Sequence, residues 1–276
     1  MSETRMALVT GASHGIGRGI AIVLAEHGYD VAITYHSRRD DALAVKERIE
    51  AMGRRCFVRQ ASLEDPEVPV SVVEWAIGEL GQLDLMVCNA GRTRLSSILN
   101  LTNADIDVIF NLNCRTYLLC AGAAARHMVR RKAPGSIVFI TSSRAERAYP
   151  EDALYGGFKA GIKRACESIA LDLAPYGIRA NCVAPGATEI NAVDEPIPGA
   201  LDGIIPLGRK GTPREVGEAV AYLASDAAGY ITGVSLRLDG GLILPGSPES
   251  MAASTHWRNP DWTKKQYEIL MKEEES

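Results

Sequence analysis

The sequence predicts an α/β fold, a doubly wound parallel sheet with helices on both faces. Three observations carry that expectation. Short apolar, β-branched runs alternate with longer segments of helical period. The strand runs are continuously apolar, as strands covered on both faces require. A glycine-rich turn joins the first strand to the first helix, where such sheets bind ligands beyond their carboxyl ends. In order, residues 6–9 read as a strand and 16–27 as a helix stopped by Gly28. Residues 31–34 form the next strand, followed by a charged amphipathic helix over 40–52 that ends at Gly53. Strands follow at 56–58, 83–87, 137–140, 180–183 and 235–238, with helices at 66–79, 106–131, 154–174 and 214–224 between them.

The chain has 276 residues, 46% hydrophobic and 23% charged, enough to bury a sizeable core without disulfides or a structural metal. At about 150 residues per domain the length suggests nearly two domains, but single α/β domains commonly reach it. The composition breaks only near the end, so the expected organisation is one catalytic domain over 1–244 and a C-terminal extension over 245–276. That extension carries Trp257 and Trp262 and is expected to pack across the pocket mouth or onto a neighbouring subunit. A net charge of −4 without long like-charge blocks argues against a nucleic-acid partner. The six cysteines contain no C-x-x-C pair and read as reduced, buried thiols. No apolar stretch approaches the roughly 18 residues of a membrane span, and no signal-peptide core is evident. The expected setting is therefore cytoplasmic, with no membrane partner and no metal.

The turn Thr10-Gly-Ala-Ser-His-Gly-Ile-Gly17 spaces its glycines G-x-x-x-G-x-G. Glycines permit a tight turn, and the N–H groups opening the helix can receive a pyrophosphate. Packing alone is the plainer alternative. Selectivity for NAD usually places an acid at the end of the second strand. Thr34-Tyr-His-Ser-Arg-Arg has none there, whereas Arg38 and Arg39, with Ser37 and His14, suit a 2′-phosphate through the guanidinium fork. NADP(H) is favoured and NAD(H) possible; a solvated helix start is the alternative for the arginines.

Tyr155 and Lys159, four apart on an expected helix, share one face. A nearby ammonium stabilises a phenolate and so lowers the tyrosine pKa toward the range useful for proton transfer. Ser142 follows a strand at its carboxyl end, where its hydroxyl could polarise a carbonyl; taken singly, it is equally a turn former. Together, Thr10–Gly17, Asn89-Ala-Gly91, Asn113, Ser142, Tyr155/Lys159 and Pro185-Gly186 resemble the short-chain dehydrogenases/reductases over about residues 5–241.

The resemblance implies a Rossmann-type fold and hydride transfer between a nicotinamide cofactor and a carbonyl or secondary alcohol. It makes Tyr155 the acid–base group, Lys159 its partner and a holder of the nicotinamide ribose, Ser142 the orienter of substrate oxygen and Asn113 the support of a proton-relay water. Ser143 is the register alternative to Ser142. The implied cofactor set is Gly11, Ser13, His14, Gly15, Ile16, Gly17, Tyr35, His36, Ser37, Arg38, Ser62, Leu63, Asn89, Ala90, Gly91, Tyr155, Lys159, Pro185, Gly186 and Thr188. Four positions depart from the common pattern: Ser62 stands for an Asp, Cys88 for an Asn, Thr116 for a Gly and Ile190 for a Thr.

Within the family the chain looks like both glucose 1-dehydrogenases and 3-oxoacyl-[acyl-carrier-protein] reductases. Arg144, Glu146 and Arg147 are candidate contacts to a sugar or polar ketone, with a solvated loop as the alternative. Arg126, Arg130, Arg131 and Lys132 could dock an acyl carrier, although cations are favoured at a helix end in any case. A homotetramer, or a homodimer, is implied, with the helices at 106–131 and 154–174 at its interfaces. A non-catalytic dinucleotide sensor or scaffold is the reading of another class; it must treat the tetrad as coincidence.

Overall fold

The computed structural model describes residues 4–191, 199 and 201–244; the expected extension at 245–276 and part of the segment from Glu189 to Leu207 lie outside them. The described chain runs β1 (Met6–Val9), α1 (Gly15–Glu26), β2 (Asp30–Tyr35), α2 (Arg39–Glu50), β3 (Cys56–Gln60), α3 (Val68–Leu80) and β4 (Leu85–Cys88). It continues through α4 (Asn103–Phe110), a π-helical turn at Asn111–Arg115, α5 (Thr116–Arg131), β5 (Gly135–Ile140), α6 (Tyr155–Leu173), β6 (Ile178–Pro185), α7 (Pro213–Ala224) and β7 (Ser235–Leu238).

The strands form one parallel seven-stranded sheet in the order β3-β2-β1-β4-β5-β6-β7. Successive side chains of a strand point to opposite faces, so the continuous apolar runs feed two separate cores. Ala7, Val9, Val31 and Ile33 pack with α1, α2 and α7 on one face. Leu8, Ala32, Met86 and Phe139 pack with α3, α5 and α6 on the other. The order reverses between β1 and β4, which leaves a crevice beyond their carboxyl ends. Among the described residues no helix is long and apolar enough to cross a membrane. All six cysteines are free thiols, five of them buried.

The continuous helix expected over 106–131 is instead two helices joined by the π turn. Side-chain demand explains the break. Asn113 leaves the helical row to bond the Arg92 backbone, and the Thr116 hydroxyl lies 2.9 Å from the carbonyl of Asn111 and 2.5 Å from that of Leu63. An extra residue in one turn re-aims a side chain without ending the rod. Thr116, a departure from the common glycine, thus ties this kink to the loop after β3.

Helices α1 and α7 approach backbone to backbone. A Cβ on Gly19 would fall 2.4 Å from the Pro213 carbonyl carbon, and one on Gly217 would fall 2.9 Å from the Gly19 carbonyl oxygen. Neither contact can be relieved by a rotamer change, so Gly19→Ala is expected to destabilise the fold by about 1–3 kcal/mol. Urea denaturation measures this; an unchanged midpoint would show that α7 yields freely.

Candidate active site

A cleft of about 670 Å³ opens at the carboxyl ends of β1, β2, β4, β5 and β6, at the point where strand order reverses. Its first wall is the glycine turn. The Thr10 hydroxyl accepts from the Asn89 and Ala90 amides at 3.0 and 3.1 Å, while Asn89 Nδ2 donates to the carbonyls of Thr10 and Gly11 at 2.8 and 3.0 Å. The Gly11 amide donates to Thr34 Oγ1 at 3.0 Å. Gly11 sits at φ +65° with the Ala90 Cα 2.9 Å from where a Cβ would stand, so backbone conformation and close approach both require glycine. The turn delivers the N-terminus of α1 to the cleft with no side-chain cap and no acid in its first turn. By contrast α4 and α7 begin with complete capping boxes, Thr102/Asp105 and Thr212/Glu215. Uncapped amides with the positive end of a helix dipole fit a diphosphate.

The floor is built from β5 and α6. Ser142 lies just past β5 and lines the cleft, its Oγ accepting from the Arg144 amide at 3.2 Å. Tyr155, the first residue of α6, is hydrogen-bonded to the hydroxyls of Ser142 and Thr93. Lys159 follows one turn later and is buried. Its Nζ donates to the Ile140 carbonyl at 2.7 Å and to the Tyr117 hydroxyl at 3.0 Å, and lies 5.8 Å from the Tyr155 ring centre. Burial pushes the ammonium down to about 7. Burial also holds the Tyr155 phenol above its usual value, against the lowering pull of Ser142 and Thr93. Nζ itself bonds Ile140 and Tyr117 rather than the phenol, so burial decides the direction of the Tyr155 shift here.

Asn113 stands behind this floor. Its Oδ1 accepts from the Arg92 amide at 2.9 Å and its Nδ2 donates to the Arg92 carbonyl at 2.7 Å. A Cβ on Gly91 would meet Asn113 Oδ1 at 3.0 Å and Lys159 Nζ at 3.6 Å, so the π turn, the Asn89-Ala-Gly91 strand end and α6 converge here.

Most residues expected to hold a cofactor line the cleft: Gly11, Ser13, His14, Gly15, Ile16, Gly17, Tyr35, His36, Ser37, Leu63, Asn89, Ala90, Gly91, Tyr155, Lys159, Pro185 and Gly186. Three do not. Ser62 is exposed beside it, the Thr188 hydroxyl turns back to the Gly186 carbonyl at 3.3 Å, and Arg38 leans toward Asp41 at 3.5 Å. Arg38 nonetheless stays close enough that, together with burial, it pushes the His14 imidazole below its usual value. Ser143 is buried and stands outside the cleft lining, unlike Ser142.

Sequence reasoning missed Arg92, Thr93, Val108, Leu112 and Glu64 on the walls, and the role of Tyr117. Only the position of Arg92 and Thr93 directly after Asn89-Ala-Gly91 could have pointed to them. Two expectations are corrected. Glu146 is bridged to Lys163 at 3.0 Å and Arg237 at 2.8 Å, and Arg144 to Asp152 at 3.1 Å; neither lines the cleft. Arg147 lies over the Tyr149 ring, also away from it. Arg131 pairs with Asp84 at 3.0 Å, at the amino end of β4, so the basic cluster lies at the opposite edge of the sheet from the pocket mouth.

The family described as Enoyl-(Acyl carrier protein) reductase matches residues 11–243. A 3-oxoacyl-[acyl-carrier-protein] reductase of Staphylococcus aureus is 36% identical over 247 residues, covering 88% of this chain and 100% of the relative. An L-rhamnose 1-dehydrogenase (NAD(P)(+)) of a Sphingomonas species is 37% identical over 247 residues, covering 88% and 97%. Among solved structures, acetoin dehydrogenase from Salmonella typhimurium superposes with a TM-score of 0.84 at 33% identity, covering 90% of this chain and 98% of that one. A blue fluorescent protein from a metagenomic library, in complex with NADPH, gives 0.79 at 35%, covering 87% and 98%. The chain belongs to the short-chain dehydrogenase/reductase family. It is a nicotinamide-dependent oxidoreductase of that family.

Removing the Asn113 amide leaves a backbone donor and acceptor of Arg92 without partners. Asn113→Ala is expected to lower stability by about 1–3 kcal/mol. Equilibrium unfolding in urea checks this, and a change below about 0.5 kcal/mol would count against Asn113 as the anchor of this wall.

Proposed function

We propose that the protein interconverts a carbonyl and a secondary alcohol on a small polar substrate, a sugar or hydroxyketone, with NADP(H) preferred and NAD(H) accepted. The observation that carries this reading is the shared hydrogen bonding of Tyr155 and Ser142 beside buried Lys159 on the cleft floor. The glycine turn and the uncapped α1 would hold the diphosphate, Asn89-Ala-Gly91 would border the ribose, and Pro185 and Gly186 would face the nicotinamide. Bound there, the cofactor supplies or accepts the hydride.

The chain's own residues handle the oxygen and its proton. Ser142 Oγ donates to the substrate oxygen and fixes the face presented to the hydride. Tyr155 gives its phenolic proton to the forming alkoxide, or takes it in the reverse direction. The Lys159 ammonium supplies positive potential that favours the phenolate at the partly desolvated floor of the cleft. Tyr155→Phe removes the proton donor while keeping the ring, and kcat is expected to fall by roughly 100- to 10,000-fold. Undiminished NADPH oxidation across a ketone panel would refute the assignment.

For cofactor choice, the positive group nearest the second strand's end is Arg38, with His14 and Ser37 beside it. Hydrogen bonds to charged groups are worth about 1.5–3 kcal/mol, so Arg38→Ala should raise KM for NADP+ by roughly tenfold or more and leave NAD+ nearly unchanged. Equal effects on both would remove the 2′-phosphate role. The substrate class is supported by the names of the rhamnose and acetoin dehydrogenases, and by the distance of the basic cluster from the cleft. Turnover of β-keto thioesters with none of sugars, polyols or hydroxyketones would replace this reading with acyl-carrier chemistry. We also read α5 and α6, with exposed Leu118 and Leu171, as subunit faces of a homotetramer.

A further inference from the structure

We propose that Tyr117 is a positioning residue that keeps Lys159 charged and fixed at the cleft floor. This rests on the reading of Lys159 as the partner of Tyr155, and it adds a residue the chemistry itself never touches. Tyr117 is fully buried on α5, and its ring stacks on Phe139 at 6.2 Å between centres. A phenylalanine would satisfy that apolar pocket. The hydroxyl has a separate use: it accepts from Lys159 Nζ at 3.0 Å and donates to the Ile140 carbonyl at 3.2 Å, the same carbonyl that accepts from Nζ at 2.7 Å. The ammonium thus closes a three-membered ring of hydrogen bonds and also lies 4.7 Å from the Tyr117 ring centre, in cation–π range.

An ammonium carries three donors. Two are held on the buried side by Ile140 and Tyr117, and Lys159 still lines the cleft. The hydroxyl also opposes the tendency of burial to strip the proton from this lysine. The other titratable groups facing Nζ are Tyr155 on its own helix, Cys88 at the end of β4 and Cys182 on β6. Burial raises the Cys88 thiol, and the bond with Cys166 together with burial raises that of Cys182, so the thiols stay neutral and supply no counter-charge. Neutral acceptors, Tyr117 among them, therefore carry the stabilisation of the charge.

The test is Tyr117→Phe, which keeps the ring and deletes only the hydroxyl, measured in two ways across pH. Without activity, the loss in melting temperature against the wild type should be largest near pH 5.5, where Lys159 is charged in both proteins. It should shrink toward pH 9, where the lysine is neutral in both. With carbonyl substrate and NADPH, the deficit in kcat should run the other way, about twofold at pH 5.5 and tenfold or more at pH 8, with KM little changed. This corresponds to an alkaline limb moved acidward by about one pH unit, the size expected for one hydrogen bond to a charged group. A melting deficit and a kcat deficit that are both independent of pH would overturn the proposal, since a merely structural tyrosine predicts that pattern. If Tyr117→Phe does not fold, Tyr117→Met fills the site without a hydroxyl and must show the same opposed trends. Retained turnover in Tyr155→Phe would sink the catalytic reading alone; the melting profile would still decide whether Tyr117 holds the lysine.

Discussion

The structure turns on the knot between the ends of β1 and β4. At the point where strand order reverses, helices leave toward opposite faces and the backbone groups at the strand ends lose their ladder partners. Thr10 and Asn89 supply those partners with four short hydrogen bonds, and Gly11 fits because no Cβ stands between it and Ala90. Everything that defines the cleft hangs from this joint. The α1 terminus is aimed by it, and the Asn89-Ala-Gly91 segment brings Arg92 to Asn113 and so ties in the π turn.

The second theme is charge held against burial. Lys159 is buried and Tyr155 half-buried at the cleft floor, and burial moves the lysine down and the tyrosine up, each toward its neutral form. The hydrogen bonds that answer come from neutral groups: a carbonyl and a phenol for the lysine, two hydroxyls for the tyrosine. Near neutral pH the lysine then responds to small changes in neighbouring dipoles, which suits a site whose proton must move in either direction.

Much of the fold was legible residue by residue. Strand and helix positions followed from apolar runs and period because those signals are local and repeat many times. Most of the cleft lining around the glycine turn was legible too, since a turn joining the first strand to the first helix lies at the carboxyl edge of the sheet. What failed had a common cause. Arg144, Glu146 and the cluster around Arg131 were candidate ligand contacts, yet Glu146 and Arg131 pair with residues far away in the chain and Arg144 with Asp152 across its own loop. Ser62 and Thr188 were placed by position in a motif, while Ser62 is exposed and the Thr188 hydroxyl bonds the local backbone at Gly186. The π turn escaped notice because its cause, the Asn113–Arg92 pairing, spans 21 residues.

By itself the sequence determined the order of elements, the two-faced apolar sheet, the glycine turn and the spacing of Tyr155 and Lys159 on one helical face. Each of these depends on residues within one or two turns of one another. Only tertiary structure decided which side chains reach the cleft, where Lys159 directs its protons and that a tyrosine on α5 waits beneath it. Those outcomes depend on contacts between segments distant in sequence, where packing and the need to satisfy buried polar groups override local preference.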